Sequence, residues 1–485
     1  MNAFSVPKEA WYSSRDDRTK RAEKIDGIEN FSLGIIIQPK IDSSYSLQVM
    51  SAIALNLLAR WCRKLKVRMP AQAVSILPYT LGRNLKDSFS HELANIDPYG
   101  QFDFNNSDMH DCDQILVLGQ PQELQDLADR QFIWVDGYGW IAGVGYGFPP
   151  AQLNHVEDEP NPVGAAFAAC LGVAEAFRYA LDSIPAKNKS VWYSLYDFKK
   201  AEVPAQLESP RYVPEFDFGR IHQIGCGAVA ASLDFLIALT RWRATVYLID
   251  YDQVDFTNCN RCLPFYAQDA LSKKDKIQAC SDALRPSRTS QIRFRGDYGD
   301  FIAKNGFLTT APDIILCLAN ERNIWATIQN NLPPIVLHAT TTLNWGVNLG
   351  RHIPKREWCI MCRFSKEIDI SLHPVCGEVE LKKSDSQEKP VQGELPFLST
   401  VAAVLILAEM AKMAMKDYPV NDDFVEFSTR NTGTKFLTTQ RAPEEGCVCN
   451  EQSLDLYQKE IVTSKFWRLS VRGDKKEAHA CSHAI

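Results

Sequence analysis

Residues 220–242 read RIHQIGCGAVAASLDFLIALTRW, a short apolar strand that runs into two glycines and then into an apolar helix. Glycine permits a tight turn and lets a phosphate group approach the backbone. The helix N-terminus adds unpaired N–H groups and the positive end of a dipole. Gly225 and Gly227 are therefore predicted to bind a nucleotide, although glycines in such a turn can also serve packing alone.

The strand that follows this helix, ATVYLID, ends in Asp250. A carboxylate at that point can accept hydrogen bonds from the ribose diol of a nucleotide. Strand, glycine turn, helix and second strand together are typical of a doubly wound α/β domain. A nicotinamide-dependent oxidoreductase has the same arrangement, so these residues leave the chemistry open.

An earlier part of the chain repeats this organisation. The segments at residues 161–181 and 395–415 align without gaps and are nearly apolar all round, which is typical of buried helices. DQILVLG from Asp113 resembles DIILCLA from Asp313, and both are typical of buried parallel strands. LLARWCRKLKVRM from Leu57 resembles IALTRWRATVYL from Ile237. Three matches in the same order favour duplication over chance likeness between two α/β domains.

The repeat predicts two tandem doubly wound α/β halves with parallel sheets. The expected division is an N-terminal arm over 1–24, a first half over 25–185, a linker over 186–211, a second half over 212–450 and a fraying tail over 451–485. The first strand of the first half runs into QPKIDSSYS without a glycine turn. That half is therefore predicted to be a degenerate copy, kept for packing and partner contact.

The composition excludes several classes of protein. The chain has 485 residues, of which 45% are hydrophobic and 23% charged, with a net charge of -6. Scattered Lys and Arg residues argue against a nucleic-acid partner. The longest apolar segments fall short of the ~18 uninterrupted residues that a membrane span needs, and the N-terminus has no apolar signal core. We therefore expect no membrane association and a cytoplasmic location.

Beyond the second strand the chain reads IDYDQVDFTNCNRCLPF and then SKKDKIQACSDALRP. The pattern of a glycine turn, Asp-x-Asp-x-Val, Asn-x-x-Arg and a helix-opening Lys resembles the ubiquitin-like activating enzymes and the related adenylyltransferases of thiamine and molybdopterin sulfur carriers. The matching residues are Gly225, Gly227, Asp250, Asp252, Val254, Asn258, Arg261 and Lys276. A degenerate half fused to an active half is most similar to the activating enzymes of bacterial Bil-type defence operons.

This resemblance implies two Rossmann-like halves and ATP-dependent adenylation of a carrier protein's C-terminal carboxylate. Asp250 would hold the ribose, while Asn258, Arg261 and Lys276 would contact the phosphates. Fixed cations and amide donors suit this reaction because negative charge builds on the phosphate oxygens and on the leaving pyrophosphate. Mg²⁺ is expected as the counterion of the nucleotide.

Two further positions follow from the resemblance. The family usually has an aspartate where this chain has Ala319, so Asn320 or Glu321 is the expected substitute near the metal and phosphates. The family also often takes an additional phosphate-contacting arginine from a neighbouring copy of the fold. Arg15 or Arg18 is the candidate for that arginine, and an exposed basic arm is the alternative.

Four of the fourteen cysteines form two tight pairs, Cys359 with Cys362 and Cys447 with Cys449. Four thiolates fit a tetrahedral Zn²⁺ site, provided that the two loops meet in space. The family has two such knuckles at these places, although its second pair is normally Cys-x-x-Cys. The prediction is a closed, structural zinc knuckle, and two unrelated reduced pairs are the alternative.

A polar loop at about 365–395 contains Cys376. By resemblance this loop crosses over the substrate's C-terminal tail and can carry a nucleophilic cysteine, whose thiolate would attack the acyl-adenylate to give a thioester. His373 would lower the pKa of that thiol, unless it is an ordinary loop histidine. Cys259 and Cys262 are the rival nucleophiles.

The favoured hypothesis is an enzyme that activates a ubiquitin-like protein and passes it to a conjugating-enzyme-like partner, with a homodimer as one open assembly state. A sulfur-carrier adenylyltransferase that forms no thioester is the first alternative. A nicotinamide oxidoreductase is the second, although it leaves Asn258, Arg261, Lys276 and the cysteine pairs unexplained. A non-catalytic scaffold is the third, because Ala319 stands at an expected acidic position.

Overall fold

The computed structural model describes residues 4–105, 108–121, 130–148, 158–182, 190–306, 310–319, 322–331, 333–342, 344–353, 356–363, 393–416, 418, 422–440, 442–447, 449 and 465–466. Within these residues the chain builds two eight-stranded sheets, one from each half. Two tandem doubly wound halves were predicted from the repeat, and the two sheets confirm that prediction.

Strands and helices alternate in the first half. In chain order they are α1 Lys8–Arg15, α2 Asp17–Ala22, β1 Ser32–Ile37, α3 Tyr45–Ala59, β2 Lys64–Arg68, α4 Leu85–Ile96, β3 Gln101–Asp103, β4 Gln114–Leu118, β5 Ile133–Tyr138, β6 Ile141–Tyr146, α5 Val163–Asp182, β7 Val191–Ser194 and β8 Lys200–Ala201.

The second half follows the same plan. Its elements are β9 Asp217–Ile224, α6 Ala228–Ile237, β10 Arg243–Asp250, α7 Ala267–Leu271, α8 Lys276–Leu284, β11 Ser290–Arg295, α9 Tyr298–Asn305, β12 Ile314–Cys317, α10 Arg322–Asn330, β13 Val336–Thr342, β14 Gly346–His352, α11 Ile360–Arg363, α12 Leu398–Met413, β15 Phe424–Ser428 and β16 Leu437–Thr439.

The two sheets have one topology. The strand order is β3-β2-β1-β4-β5-β6-β7-β8 in the first and β11-β10-β9-β12-β13-β14-β15-β16 in the second. The first five strands of each order are parallel, and the last three pair antiparallel. The sheets are therefore mixed rather than wholly parallel as expected. Short hairpin connections explain the antiparallel pairs β5–β6 and β13–β14, because a strand that returns after a few residues can pair only antiparallel. The antiparallel pairs β6–β7 and β14–β15 are joined by longer connections that contain α5 and α12.

The two apolar segments that the repeat aligned become α5 and α12, both of which lie in the core. Each packs on the strands at the antiparallel side of its own sheet, and the two helices also contact each other. α5 is long and apolar enough to cross a membrane by length and composition alone, and 83% of its apolar window is buried inside the protein, as in a core helix. One continuous apolar core thus joins the halves.

Three segments expected to be peripheral contribute to this core. The arm forms α1 and α2, and its Trp11 is fully buried against Phe256 of the second half. The expected linker supplies β7 and the edge strand β8 instead, because VWYS is an aromatic and β-branched run typical of strands. In the expected fraying tail, Phe466 is buried beside Phe216 and Phe218.

Candidate functional site

The glycine turn after β9 forms as predicted. Gly225 has a left-handed φ of +91°, and a Cβ atom added to it would lie 2.8 Å from the backbone nitrogen of Ala319. Glycine is required here for both reasons, since other residues rarely adopt that φ and the backbone after β12 leaves no room for a side chain. The turn is therefore held against the carboxyl end of β12.

The helix after the turn begins without a side-chain cap. Gly227 is the N-cap residue of α6, and the helical hydrogen bonds start with Ala231 N–H to Gly227 O at 2.8 Å. The N–H groups of residues 228–230 therefore precede the helical ladder and point toward the turn. A helix start of this kind favours an anion such as a phosphate.

A cavity of about 150 Å³ lies at this turn. Five of the predicted site residues line it: Gly225, Gly227, Asp250, Asp252 and Lys276. The Asp250 carboxylate accepts hydrogen bonds from Cys226 N–H at 2.6 Å and from Asp252 N–H at 2.7 Å. It therefore joins the glycine turn to the loop after β10. Lys276 begins α8, and its Nζ lies 2.7 Å from Asp252 Oδ2.

Asn258 and Arg261 do not belong to the lining of this cavity. Asn258 Oδ1 accepts a hydrogen bond from Asp255 N–H at 2.9 Å and so caps a short helical turn at Phe256–Asn258. Arg261 is buried, pairs with Glu394 Oε2 at 2.6 Å and donates to Thr257 O at 2.6 Å. Both side chains are thus engaged by protein groups beside the cavity, and their phosphate contacts stay predictions.

Asp297 lines the cavity and was missed in the sequence. It caps α9, accepting from Asp300 N–H at 2.8 Å, and lies two residues after the end of β11. Its position after the third parallel strand was the available signal, because the carboxyl ends of such strands meet at one edge. Ala319 also lines the cavity, whereas Asn320 and Glu321 lie outside the described residues. The wall therefore presents the carboxylates of Asp250, Asp252 and Asp297, and carboxylate oxygens are the ligands that Mg²⁺ prefers. Among the described residues only the four paired cysteines lie close enough together to form a set of three or more metal ligands.

A buried polar cluster supports the turn from below. Asp234 of α6 accepts a hydrogen bond from Gln223 Nε2 at 2.9 Å. Burial raises the pKa of Asp234 to about 7, because the charged form is poorly solvated there. Burial also raises the pKa values of Cys226 and Cys280 beside it.

Strand register identifies the corresponding positions in the first half. Ile36 of β1 pairs with Val117 of β4 and with Arg68 of β2. In the second half, Ile224 of β9 pairs in the same way with Cys317 of β12 and with Ile249 of β10. The next residue along each strand gives the site positions. Ile37 thus stands where the second half has Gly225, and Met69 stands where it has Asp250.

Protein side chains accept hydrogen bonds from the N–H groups at the N-terminus of α3, whereas the N-terminus of α6 has no side-chain cap. Ser44 caps it by accepting from Leu47 N–H at 3.1 Å. The Asp158 carboxylate accepts from Ser46 N–H at 3.2 Å and from Ser46 Oγ at 2.6 Å. A cavity of about 590 Å³ adjoins this region, but a protein carboxylate takes the place that a phosphate would need. These contacts support the prediction that the first half is a degenerate copy.

The two candidate arginines of the arm differ. Arg15 is fully buried and pairs with Asp16 at 2.6 Å and with Asp97 at 2.7 Å, so it is a structural residue. Burial and the neighbouring Arg261 lower the pKa of Arg18. The backbone of Arg18 accepts from Glu394 N–H at 2.9 Å. Arg18 therefore lies beside the Arg261–Glu394 pair, and its phosphate contact stays a prediction.

The four paired cysteines come together. The Sγ atoms of Cys359, Cys362, Cys447 and Cys449 all lie within 4.8 Å of one another. The separations are 3.7 Å for Cys359–Cys362, 3.6 Å for Cys359–Cys447 and 3.4 Å for Cys362–Cys449. A tetrahedron with Zn–S bonds of about 2.3 Å has S···S edges of about 3.8 Å. The cluster is too open for disulfides and fits a closed four-thiolate Zn²⁺ site.

The predicted nucleophile Cys376 and its neighbour His373 lie outside the described residues. The rivals Cys259 and Cys262 are 0% and 1% exposed. Burial raises the pKa of Cys259 to about 12, and that of Cys262 above its usual value. Both thiols are protonated and closed off from a substrate tail, which disfavours them as nucleophiles.

Comparison with solved structures finds similar proteins at low identity. E. coli MccB with MccA-N7isoASN is 20% identical with a TM-score of 0.36, over 48% of this chain and 67% of that chain. E. coli MccB with ATP is 18% identical with a TM-score of 0.35, over 48% of this chain and 67% of that chain. PaaA is 15% identical with a TM-score of 0.35, over 46% of this chain and 64% of that chain.

The matched part spans about two thirds of the length of those proteins. Likeness at this level does not carry their activities to this chain. No curated protein sequence matches it. Residues 32–195 match the family model of the BilD N-terminal domain, from the first residue of β1 to just beyond β7. The first half of the chain is therefore similar to the BilD N-terminal domain, which confirms the Bil-type resemblance seen in the sequence.

Proposed function

We propose that the chain is an ATP-dependent activating enzyme, which adenylates the C-terminal carboxylate of a ubiquitin-like protein. The observation that carries this proposal is the contrast between the two helix starts. In the second half an uncapped helix follows a glycine turn in a cavity with Asp250 and Lys276. In the first half the side chains of Ser44 and Asp158 occupy N–H groups at the equivalent helix start.

The residues of the cavity suit the steps of adenylation. The N–H groups at the start of α6 bind phosphate oxygens, and Asp250 accepts from the ribose hydroxyls with its remaining lone pairs. The substrate carboxylate oxygen attacks the α-phosphorus, a P–O bond forms, and the bond to pyrophosphate breaks. Lys276 stabilises the negative charge that develops, once its Nζ exchanges Asp252 for phosphate oxygen. Bound Mg²⁺ would neutralise charge on the leaving pyrophosphate, held by Asp252 and Asp297.

The Arg261–Glu394 pair bears on how phosphate would reach Arg261. Glu394 lies at the C-terminal end of the predicted loop at about 365–395, which contains Cys376. Its carboxylate also lies 3.5 Å from Thr341 Oγ1. Phosphate contact by Arg261 therefore requires this carboxylate to share or release the guanidinium. Arg18 would then supply a second cation from the arm.

Transfer of the activated carrier is the next step of the proposal. The Cys376 thiolate would attack the acyl-adenylate carbonyl, forming a thioester bond and releasing AMP, after which a conjugating-enzyme-like partner would accept the acyl group. Zn²⁺ on the four cysteines would be structural, since all four positions are filled by protein. A cytoplasmic location and a homodimer remain parts of this proposal.

The test is ATP–pyrophosphate exchange stimulated by a ubiquitin-like protein, for wild type, Lys276→Ala and Cys376→Ala. Adenylation on this site predicts exchange in wild type and in Cys376→Ala, with a loss of at least about a hundredfold in Lys276→Ala. A thiol-sensitive adduct with the carrier is expected in wild type and not in Cys376→Ala. Exchange without any adduct would favour a sulfur-carrier adenylyltransferase, and equal exchange in wild type and Lys276→Ala would refute the site.

A further inference from the structure

Arg60, at the end of α3 in the first half, makes three of its four side-chain hydrogen bonds with the second half. Its side chain is fully buried. Nη1 donates to Cys259 O at 2.8 Å and to Phe265 O at 3.2 Å, and Nη2 donates to Leu263 O at 2.5 Å. One guanidinium of the degenerate half thus binds three backbone carbonyls of a single loop.

That loop carries the predicted phosphate ligands of the active half. Cys259 follows Asn258 directly, and Arg261 lies between Cys259 and Leu263 in the chain. The backbone on both sides of Arg261 is therefore fastened to Arg60. The opposite side of the loop is held by the arm, where Asn260 Nδ2 donates to Thr19 Oγ1 at 3.1 Å.

A second set of bonds orients Arg60 itself. Arg60 Nε donates to Asn56 Oδ1 at 2.8 Å, and Asn56 Nδ2 donates to Glu92 Oε1 at 2.9 Å and to Leu263 O at 3.2 Å. Tyr266 of the second half donates its hydroxyl to the same Glu92 oxygen at 3.1 Å. The contact is therefore a closed network of α3, α4 and the loop at 259–266.

The charge of Arg60 makes the loss of this network costly. Among the described residues no carboxylate forms an ion pair with Arg60, so carbonyl dipoles of the loop supply its stabilisation. A buried cation without hydrogen bonds is strongly unfavourable, so the loop cannot move away without leaving that charge unpaired. The planar guanidinium of arginine carries donors on three nitrogens and so reaches carbonyls that lie apart, whereas the three N–H groups of lysine share one nitrogen.

We infer that Arg60 is a positioning residue through which the degenerate half sets the phosphate-contacting loop of the active half. The inference rests on the proposed function and adds a role for the first half in it. Arg60 does not line the nucleotide cavity. It fixes the backbone from which Asn258 and Arg261 extend, so its loss weakens recognition of phosphates while recognition of the nucleoside is kept.

The experiment compares MgATP with adenosine as ligands of the full chain in wild type, Arg60→Lys and Arg351→Lys. Adenosine needs Asp250 and the glycine turn but none of the phosphate ligands. Arg351 is the control because it is equally buried, in a network with Glu357 and Glu409, and is not fastened to this loop. Thermal midpoints establish that each variant is folded at the temperature of titration.

Arg60→Lys is expected to weaken MgATP binding by about tenfold or more and adenosine binding by less than about twofold, since small misplacements of ligand groups are costly. Arg351→Lys should leave the ratio of the two affinities unchanged. Tyr266→Phe removes one bond of the network and should weaken MgATP binding about threefold. If Arg60→Lys does not fold, Tyr266→Phe decides by the same ratio.

An unchanged ratio in the folded Arg60→Lys protein, or an equal loss for both ligands, would overturn the inference. Failure of the proposed function looks different: wild type would bind no MgATP, or Lys276→Ala would bind it as tightly as wild type. The two ideas are thus tested separately in one series of titrations.

Discussion

Replacing Gly225 by alanine tests the geometry of the turn. The new Cβ would lie 2.8 Å from Ala319 N, 3.0 Å from the carbonyl carbon of Leu318 and 3.1 Å from Ala319 Cα, all of which are backbone atoms. A non-glycine residue at a φ of +91° costs about 1–2 kcal/mol. Forcing the packed backbone apart adds roughly 1–3 kcal/mol. The expected destabilisation is therefore about 2–5 kcal/mol.

Gly82→Ala is the matched control. Gly82 has a similar left-handed φ of +75°, but its Cβ would meet nothing within 4 Å, so this variant experiences only the conformational cost of about 1–2 kcal/mol. Thermal midpoints should fall in the order wild type, Gly82→Ala, Gly225→Ala, and only Gly225→Ala should lose MgATP binding. Equal midpoints for the two variants would refute the close approach of residues 318–319 to the turn.

Three further outcomes are expected. Elemental analysis should find one Zn²⁺ per chain, and a strong chelator or Cys359→Ser should lower the thermal midpoint. A zinc-free protein with the midpoint of untreated wild type would contradict the four-thiolate site. Because folding raises the pKa of Asp234 from 3.8 to about 7, the folded state keeps a proton that the unfolded state loses. The free energy of unfolding should therefore fall as pH rises from about 4 to 7 and level off above that. Denaturant titrations of wild type and Asp234→Asn should show this pH-dependent fall only in wild type. Identical pH profiles of the two proteins would contradict the raised pKa. Asp158→Ala removes the carboxylate at the start of α3, so it should lower stability by about 0.5–2 kcal/mol and leave MgATP affinity unchanged. A second MgATP bound by this variant would show that Asp158 alone prevents the first half from binding a nucleotide.

The sequence predicted the fold well where local pattern and tertiary structure agree. The strand, glycine turn and helix at 220–242 became β9, Gly225 and α6, and the second strand ends at Asp250 as expected. The repeat also predicted two buried helices and the equivalence of β4 with β12, because buried elements have few ways to vary their apolar pattern. The apolar pattern of each segment, together with its repeat in the other half, was enough to predict these elements.

The remaining features depend on partners that are distant in sequence. Arg261 is held by Glu394, and the cap that fills the start of α3 joins Ser46 to Asp158, 112 residues away. Motif spacing shows which side chains share a loop, but their directions are set by such contacts. The expected linker and tail became parts of the core for the same reason, since Phe466 has its partners in β9 and the segment before it.

The most direct test of the account is the stoichiometry of MgATP binding to the full chain by calorimetric titration. One nucleotide per chain is predicted, with affinity reduced at least about tenfold in Lys276→Ala, because the start of α6 has no side-chain cap whereas protein groups occupy the N–H groups at the start of α3. Two nucleotides per chain, no binding at all, or wild-type affinity in Lys276→Ala would contradict a single nucleotide site at the turn after β9.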